Sequence, residues 1–258
     1  MNNIQSLILI LLISHFLGDY YLQTKQMSGL KEHKIKELIL HFIIHLILNI
    51  GLVFISYGSR FLIISLLISS SHLIIDFIKG KMNSKFNNHK FTIYMLDQFF
   101  HICSIILITY FFIDRSYLIF NSNINRVLNS FSIKPLVLIK NLLAIVIIIK
   151  PASISINMFL EKFNFKDKDL QLSSSNESNN EGENIKSLTN AGSTIGILER
   201  VIIYILASMG QFAAIGFVLT AKSITRYEKI TKSPAFGEYY LIGTLFSFLI
   251  VILIVVIL

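Results

Sequence analysis

The sequence predicts an all-α, polytopic membrane protein of six to seven transmembrane helices that begins with a four-helix up-down bundle. Hydrophobic residues make up 53% of the 258-residue chain and the mean hydropathy is +0.66, whereas a soluble domain is much less apolar. The apolar residues also fall into separate runs, and a helix that crosses a bilayer needs about 20 of them. Length and composition together therefore exclude an ordinary soluble domain.

The basic residues lie mostly in short segments between those runs. The net charge of +8 is therefore a positive-inside pattern and not the footprint of a nucleic-acid-binding surface. From this pattern we expect a multi-pass protein of the cytoplasmic (inner) membrane. Its expected partner is a membrane lipid or a lipid-linked substrate, with no nucleic acid, and a protein partner is left open.

Four apolar segments come first and define a membrane domain at residues 1–113. Only Gly58 and Ser59 separate the second segment from the third, so these two segments must be antiparallel neighbours. Lysine-bearing loops follow the first and the third segment, which places both loops in the cytoplasm. The four segments run from about Ile4 to Leu22, Glu37 to Tyr57, Arg60 to Lys79 and Thr92 to Ile113.

The middle of the chain is less regular. Residues 114–163 are expected to hold an interfacial helix that begins near Arg126, and then an apolar run from Leu136 to Ile149. Because Lys150 and Pro151 follow, this run should break there, and it either spans with help from the next residues or re-enters. Residues 164–193 are polar and of low complexity, which predicts a flexible linker.

Two C-terminal transmembrane helices are predicted within residues 194–258, from about Thr194 to Ala221 and from about Tyr239 to Leu258. Arg200 and Tyr204 belong to a polar stripe on the first of them. If every apolar run spans, the basic stretch from Lys222 to Lys232 lies outside, against the charge rule. A broken segment at Pro151 removes this conflict, so six full spans plus one broken segment are favoured.

Each of the first four segments carries a pair of ionisable residues spaced four positions apart. Residues at this spacing lie on one face of a helix, about 6 Å apart along its axis. All four pairs fall near the cytoplasmic ends of their segments, so an up-down bundle brings them into one layer. Ionisable groups inside membrane helices are expensive and usually functional. The pairs are His15 and Asp19, His41 and His45, His72 and Asp76, and Asp97 and His101.

These groups predict a membrane-embedded metal centre, because imidazoles and carboxylates are the ligands of zinc and other transition metals. Eight of them are enough for one or two divalent ions, and the balance of histidine over carboxylate favours zinc, manganese or iron. Asp19, Asp76 and Asp97 are the candidate catalytic carboxylates, since a carboxylate beside a metal can act as a general base. The residues that border the layer, and that we expect to orient ligands or substrate, are Gln23, Lys79 and Gln98.

The same motifs carry a family resemblance. The stretch His15-Phe16-Leu17-Gly18-Asp19 with Gln23, the pair His41 and His45, the His72 to Asp76 turn, and Asp97-Gln98 with His101 lie within about residues 4–113. They resemble a bacterial integral-membrane family known only as a domain of unknown function. The His72 and Asp76 helix is also distantly similar to motifs of inner-membrane metal-dependent hydrolases. The family resemblance by itself implies no activity.

Three functions are compatible with the predicted centre. The leading hypothesis is a metal-dependent hydrolase at the cytoplasmic interface, because a metal lowers the pKa of bound water to about 7; its substrate would be lipid-linked or phosphoester-like. A metal or proton transporter needs polar groups through the full depth, and the outer halves of the four segments are nearly pure hydrocarbon apart from Asn49. A non-catalytic sensor or defence module with a structural metal is the third hypothesis, so enzymatic activity is left open.

Overall fold

The computed structural model describes residues 2–24, 27, 29, 34–85, 89–113, 118–161 and 182–258. Secondary structure within these residues is helical, without strands. Six helical segments among them are long and apolar enough to cross a membrane. The prediction of an all-α, polytopic membrane protein is therefore confirmed, and the identity of the membrane stays a prediction.

The chain divides into two compact units, and the first comprises Met1–Val146. This unit contains the helices α1 (Asn2–Leu17), extended by a π-helical turn at Gly18–Leu22, α2 (Ile35–Tyr57), α3 (Leu62–Lys85), α4 (Lys90–Phe112) and α5 (Ser122–Ser130). It also contains most of α6 (Pro135–Ile149), which continues past the boundary of the unit.

Helices α1 to α4 form the predicted four-helix bundle. Helix α1 packs against α2 and α4, and α3 packs against the same two helices, which closes the ring. Helices α2 and α3 are joined by Gly58 and a short 3₁₀ turn at Ser59–Phe61, so the predicted antiparallel hairpin is present. The inward faces carry the apolar core, and its fully buried members include Leu7, Leu11 and Val53.

Hydrogen bonds close the end of the bundle that lies away from the ionisable pairs. The Tyr57 hydroxyl donates to the Asn3 carbonyl at 2.9 Å, and the Asn121 backbone N–H donates to the Ser56 carbonyl at 2.8 Å. The Asn121 side chain also accepts from the first N–H groups of α5 and thereby caps this helix. This cap explains why α5 begins at Ser122 and not near Arg126, where it was expected.

The second unit comprises Ile147–Leu258. Besides the last residues of α6, its helices are α7 (Pro151–Glu161), α8 (Gly182–Ser208), α9 (Phe212–Thr225), α10 (Tyr227–Lys232) and α11 (Pro234–Ile257).

Two features of this part can be compared with the sequence prediction. Helices α6 and α7 are interrupted at Lys150 but together form one candidate span, Pro135–Glu161, as expected for a helix broken by proline. Of the predicted linker at residues 164–193, residues 164–181 lie outside the described part of the chain, and residues 182–193 belong to α8.

The single C-terminal helix predicted from about Thr194 to Ala221 is divided in two. Helix α8 ends at Ser208 and α9 begins at Phe212. Between them Gly210 adopts a φ of +71°, a conformation that glycine reaches without the clash that a Cβ atom causes. An apolar pattern alone does not reveal this turn, because the apolar residues continue on both sides of it.

We predict that Gly210→Ala and Gly216→Ala change stability in opposite directions. A Cβ atom has open space at both positions, so only the backbone conformation differs. Gly210→Ala should destabilise by about 1 kcal/mol because of its positive φ, whereas alanine inside α9 should stabilise by up to about 1 kcal/mol. Thermal unfolding of the two variants in the same detergent measures the difference. A melting temperature that rises for Gly210→Ala would refute the turn at this residue.

Candidate metal centre

The eight ligand-type side chains of the predicted layer come together inside the four-helix bundle. They sit near the end of the bundle where α1 and α3 end and α2 and α4 begin. Seven of the eight are buried, and the side chain of Asp19 is only 7% exposed. Three groups of potential ligand atoms occur, each with all atoms within 4.8 Å of one another; they are His15, Asp19, His45 and His72; His41, His72 and Asp76; and Asp76, Asp97 and His101.

Asp19 is the carboxylate with the most imidazole contacts. Its Oδ1 atom lies 3.0 Å from Nε2 of His45, and 3.2 Å from Nε2 of both His41 and His72. Its Oδ2 atom lies 3.9 Å from Nε2 of His15. One side chain of α1 therefore faces nitrogen atoms from α1, α2 and α3.

His72 lies at the middle of the cluster and belongs to two of the three groups. Its Nε2 atom faces Asp19, and its Nδ1 atom lies 3.4 Å from Oδ2 of Asp76. The same Asp76 oxygen lies 3.3 Å from Nε2 of His41. The ring centroid of His72 is 3.8 Å from that of His45 and 4.0 Å from that of His101. His72 and Asp76 thus connect the ligand groups with one another.

Asp97 is held differently, because a cation lies beside it. Lys79 donates to its Oδ2 atom at 2.7 Å, and Gln98 donates to the same atom at 3.1 Å. The amide of Gln98 also lies 3.4 Å from Oδ2 of Asp19, and its Oε1 atom lies 3.3 Å from Nε2 of His15. Lys79 and Gln98 therefore contact carboxylates of the cluster. Gln23, the third residue expected at its border, follows the π-helical turn and donates its backbone N–H to Gly18.

The orientation of His101 is fixed by its own helix. Its Nδ1 atom lies 2.8 Å from the carbonyl oxygen of Asp97. Because a carbonyl only accepts, Nδ1 must carry the proton, and Nε2 keeps its lone pair. That Nε2 atom is buried and has no hydrogen-bond partner among the described residues. This is the arrangement that prepares an imidazole to ligate a metal.

Gly18 brings the first two helices into close contact, which sequence reasoning missed. A Cβ atom at Gly18 would lie 2.4 Å from Cε1 of His45, so any larger residue would displace this ring. Gly18 also begins the π-helical turn that carries Asp19, and such turns are often found at functional sites. A glycine directly before an acidic residue in an apolar helix is the sequence signal that could have indicated this close contact.

The distances among these atoms fit metal coordination. Two atoms bound to one tetrahedral ion at about 2.1 Å lie about 3.4 Å apart, and the nitrogen–oxygen separations around Asp19 and Asp76 are 3.0–3.9 Å.

The charge of the cluster also favours a bound cation. With neutral imidazoles, three carboxylates and the Lys79 ammonium leave two negative charges uncompensated. Such buried charge is very unfavourable unless a cation balances it.

The interior of the bundle beyond the cluster is more polar than expected. Asn49 donates to Ser69 at 3.0 Å, about one turn further from His45 and His72. The side-chain oxygens of Ser14, Ser65 and Thr109 are buried and have no hydrogen-bond partner among the described residues. The expectation that the outer halves are nearly pure hydrocarbon was therefore wrong for their inward faces. Ser65 and Thr109 are single hydroxyl residues within otherwise apolar or aromatic runs of the sequence, and Ser14 directly precedes His15.

Fold and site together define a multi-pass helical membrane protein with a buried histidine and aspartate cluster that can hold metal. Residues 7–128 match the model of the family described as Protein of unknown function (DUF3307), so this part of the chain is similar to an uncharacterised family. That confirms the resemblance to a domain of unknown function. No curated protein and no solved structure matches the chain, and the similarity to hydrolases stays a prediction.

We predict that Gly18→Ala disturbs the centre although it removes no ligand. The added methyl group would overlap the His45 ring, so His45 must move away from Asp19 and metal content should fall by about tenfold, as for other disturbed ligand supports. Metal analysis of the purified protein by mass spectrometry measures this effect.

Gly51→Ala is the matched control for this prediction. Gly51 lies in α2, and a Cβ atom there would meet nothing within 4 Å. Its metal content should equal that of the unmodified protein. Equal metal content in Gly18→Ala would show that His45 is not a ligand.

Proposed function

We propose that this protein is a metal-dependent hydrolase of the membrane, with one or two divalent ions held by the histidine and aspartate cluster. The observation that carries the proposal is the convergence of five imidazoles and three carboxylates from four helices into one buried cluster. A tetrahedral ion needs about four ligands, so the cluster contains groups beyond those that a single ion requires. Zinc, manganese and iron are the ions that this ligand set favours.

Different residues have different tasks in this proposal. His15, Asp19, His45 and His72 form the group with the most ligands and hold the first ion. His41, Asp76 and His101 are placed to hold a second ion or to orient the first group. When bound, the metal supplies a nucleophilic hydroxide at neutral pH and polarises the bond under attack.

Asp97 and its neighbours differ from the other ligands in their partners. Lys79 and Gln98 hold the Asp97 carboxylate by hydrogen bonds to one of its oxygens. The other oxygen, Oδ1, has no hydrogen-bond partner among the described residues. We therefore assign Asp97 Oδ1 as the candidate acceptor for the proton that the attacking water loses.

The substrate class is inferred from the depth of the site. Asp19 lies three residues before the end of its candidate span, at Leu22, and Lys79 lies four residues before the end of its span, at Asn83. The edge of the centre is therefore about one helical turn from the ends of these spans. His72, at the middle of the cluster, lies eleven residues before Asn83, which is about three turns from that end. The Lys79 side chain, at 19% exposure, is the most accessible charged group next to the cluster. An amphiphile with a phosphoester group, such as a lipid-linked phosphate, fits a cationic group at this depth.

We predict that His45→Ala and Asp76→Asn remove metal and activity together. The purified protein, loaded with zinc or manganese and dialysed, should hold about one ion or more, and each variant should lose about tenfold or more of its metal affinity. Activity is measured as p-nitrophenol release from bis(p-nitrophenyl) phosphate and as phosphate release from phosphatidic acid in mixed micelles.

His89→Ala is the control, because His89 is exposed and its side chain makes no capping hydrogen bond. It should keep both metal and activity. A loaded protein with less than about a tenth of an ion per chain would refute the metal centre. Stoichiometric metal without hydrolysis of either compound would refute the hydrolase and keep the metal centre.

The buried polar residues beyond the cluster favour a second candidate, a metal or proton transporter. Ser69, Asn49, Ser65 and Thr109 extend from the cluster towards the opposite end of the bundle. Polar groups that continue through a membrane protein are typical of ion pathways. Apolar residues such as Leu11 and Ile105 interrupt the series, so conduction would need these side chains to move.

For a transporter, Thr109→Val should reduce metal-driven flux in proteoliposomes without loss of bound metal. The substitution removes the hydroxyl and keeps the shape of the side chain, so we expect about a tenfold reduction if the hydroxyl contributes a hydrogen bond of about 1.4 kcal/mol. Ser70→Ala is the control, since Ser70 donates to Leu66 of its own helix at 2.8 Å. Absence of flux in the unmodified protein would eliminate this candidate.

A further inference from the structure

A cavity lies in the C-terminal unit, among residues that the metal centre does not use. Its volume is about 490 Å³. Residues of α7, α8, α9 and α11 line it, and these helices all belong to the unit Ile147–Leu258. Among the described residues, three cationic side chains, Arg200, Lys222 and Arg226, face this cavity together with one carboxylate, Glu199.

Arg200 is the deepest of these cations and is only 5% exposed. Its Nε atom donates to the Ile148 carbonyl at 3.1 Å, and its Nη2 atom donates to Ser153 Oγ at 2.5 Å. These two contacts fix the plane of the guanidinium, but both acceptors are neutral. No carboxylate forms a salt bridge with Arg200 among the described residues. A buried guanidinium without a counter-charge is costly, so its environment favours an anion.

The other charges of the cavity leave an excess of positive charge. Lys222 and Glu199 pair at 2.6 Å and neutralise each other. Arg226 forms no salt bridge among the residues that the structure describes, and it is exposed at the cavity. Arg200 and Arg226 therefore form no salt bridge with a carboxylate in the described part of the chain; Glu199 attracts Arg200 as well, but it is paired with Lys222. Arginine is the side chain best suited to hold phosphate, because its planar fork donates two hydrogen bonds to neighbouring oxygens.

A hydroxyl group adds to the polar lining of the cavity. The Tyr240 hydroxyl lies at the cavity beside the side chains of Ser223 and Thr244, and it makes no hydrogen bond of ordinary length within the described part of the chain. A phosphate oxygen in the cavity would provide an acceptor for Tyr240 as well as for Arg200.

The position of the cavity along the helices indicates an amphiphile. Leu160 lies next to the end of the candidate span Pro135–Glu161, and Phe236 lies near the start of the span Pro234–Ile257. The cavity therefore extends inward from the boundary of the membrane. Apolar residues such as Ile156 line it together with the arginines. Phosphate oxygens would meet the arginines while a hydrocarbon chain contacts the apolar side.

We propose that this cavity binds a phosphate anion, with the headgroup of an anionic phospholipid as the favoured source and free phosphate as the other. Arg200 and Arg226 bind the phosphate oxygens, Tyr240 donates a hydrogen bond, and the Lys222–Glu199 pair positions the end of α9 beside α8. The proposal is independent of the metal centre and of the hydrolase.

The test uses the full-length protein in detergent. Native mass spectrometry measures binding of dioleoyl phosphatidylglycerol and of dioleoyl phosphatidylcholine, which share the phosphodiester but differ in net charge. We expect phosphatidylglycerol to bind more tightly. Arg226→Gln should weaken it about fivefold, the effect of a partly exposed ion pair of about 1 kcal/mol. Arg200→Gln should weaken it about tenfold or more, since its charge is buried. Calorimetry with inorganic phosphate forms the second arm.

Lys229→Gln is the matched control, because Lys229 is exposed in α10 and does not line the cavity. It should leave phosphatidylglycerol binding unchanged. Arginine-dependent binding of inorganic phosphate without lipid preference would support the phosphate site and assign it to the free anion. Equal binding of both lipids with no response to phosphate would overturn the proposal, as would equal weakening by Lys229→Gln and Arg226→Gln. If Arg200→Gln fails to fold, the effect of Arg226→Gln, at an exposed position, on phosphatidylglycerol binding still tests the proposal.

Discussion

The N-terminal unit depends on the contact of the Asp19 carboxylate with imidazoles from neighbouring helices. Its Oδ1 atom lies within 3.2 Å of nitrogen atoms on both α2 and α3. In a membrane, lipid offers no partner to a charged or polar side chain, so these groups must satisfy one another inside the bundle or bind a cation. Separation of the helices would leave carboxylates in hydrocarbon, and this penalty ties the four helices to one arrangement.

Such close contact imposes a requirement on the backbone. The His45 ring occupies the space next to Gly18 where any other residue would place its side chain. The π-helical turn at the end of α1 then directs Asp19 towards α2 and α3. Lys79 and Gln98 hold the Asp97 carboxylate by hydrogen bonds. Hydrogen bonds therefore hold the cluster in place in addition to any metal ion that it binds. The capacity to hold a metal and the packing of the helices therefore depend on the same set of contacts.

The C-terminal unit meets the same constraint in another way. Arg200 is buried, but its hydrogen-bond acceptors are a carbonyl and a hydroxyl rather than a carboxylate. Neutral acceptors orient the guanidinium without cancelling its charge, which remains available to an anion. The histidine and aspartate cluster of the first unit therefore carries excess negative charge that a cation can balance, and the cavity of the second unit carries excess positive charge. The two sites call for ligands of opposite sign.

The sequence by itself determined the membrane class, the first four helices and the eight ligand-type residues, because hydropathy, length and a spacing of four residues are local properties of a chain. Their convergence followed from alternating helix direction. Only the tertiary structure decided that His72 lies at the middle of the cluster, that Gly18 admits His45, and that Gly210 divides the C-terminal helix in two. The cavity around Arg200 was equally hidden, since its lining comes from helices far apart in sequence. Such features depend on distances between side chains of different helices, which no local pattern contains.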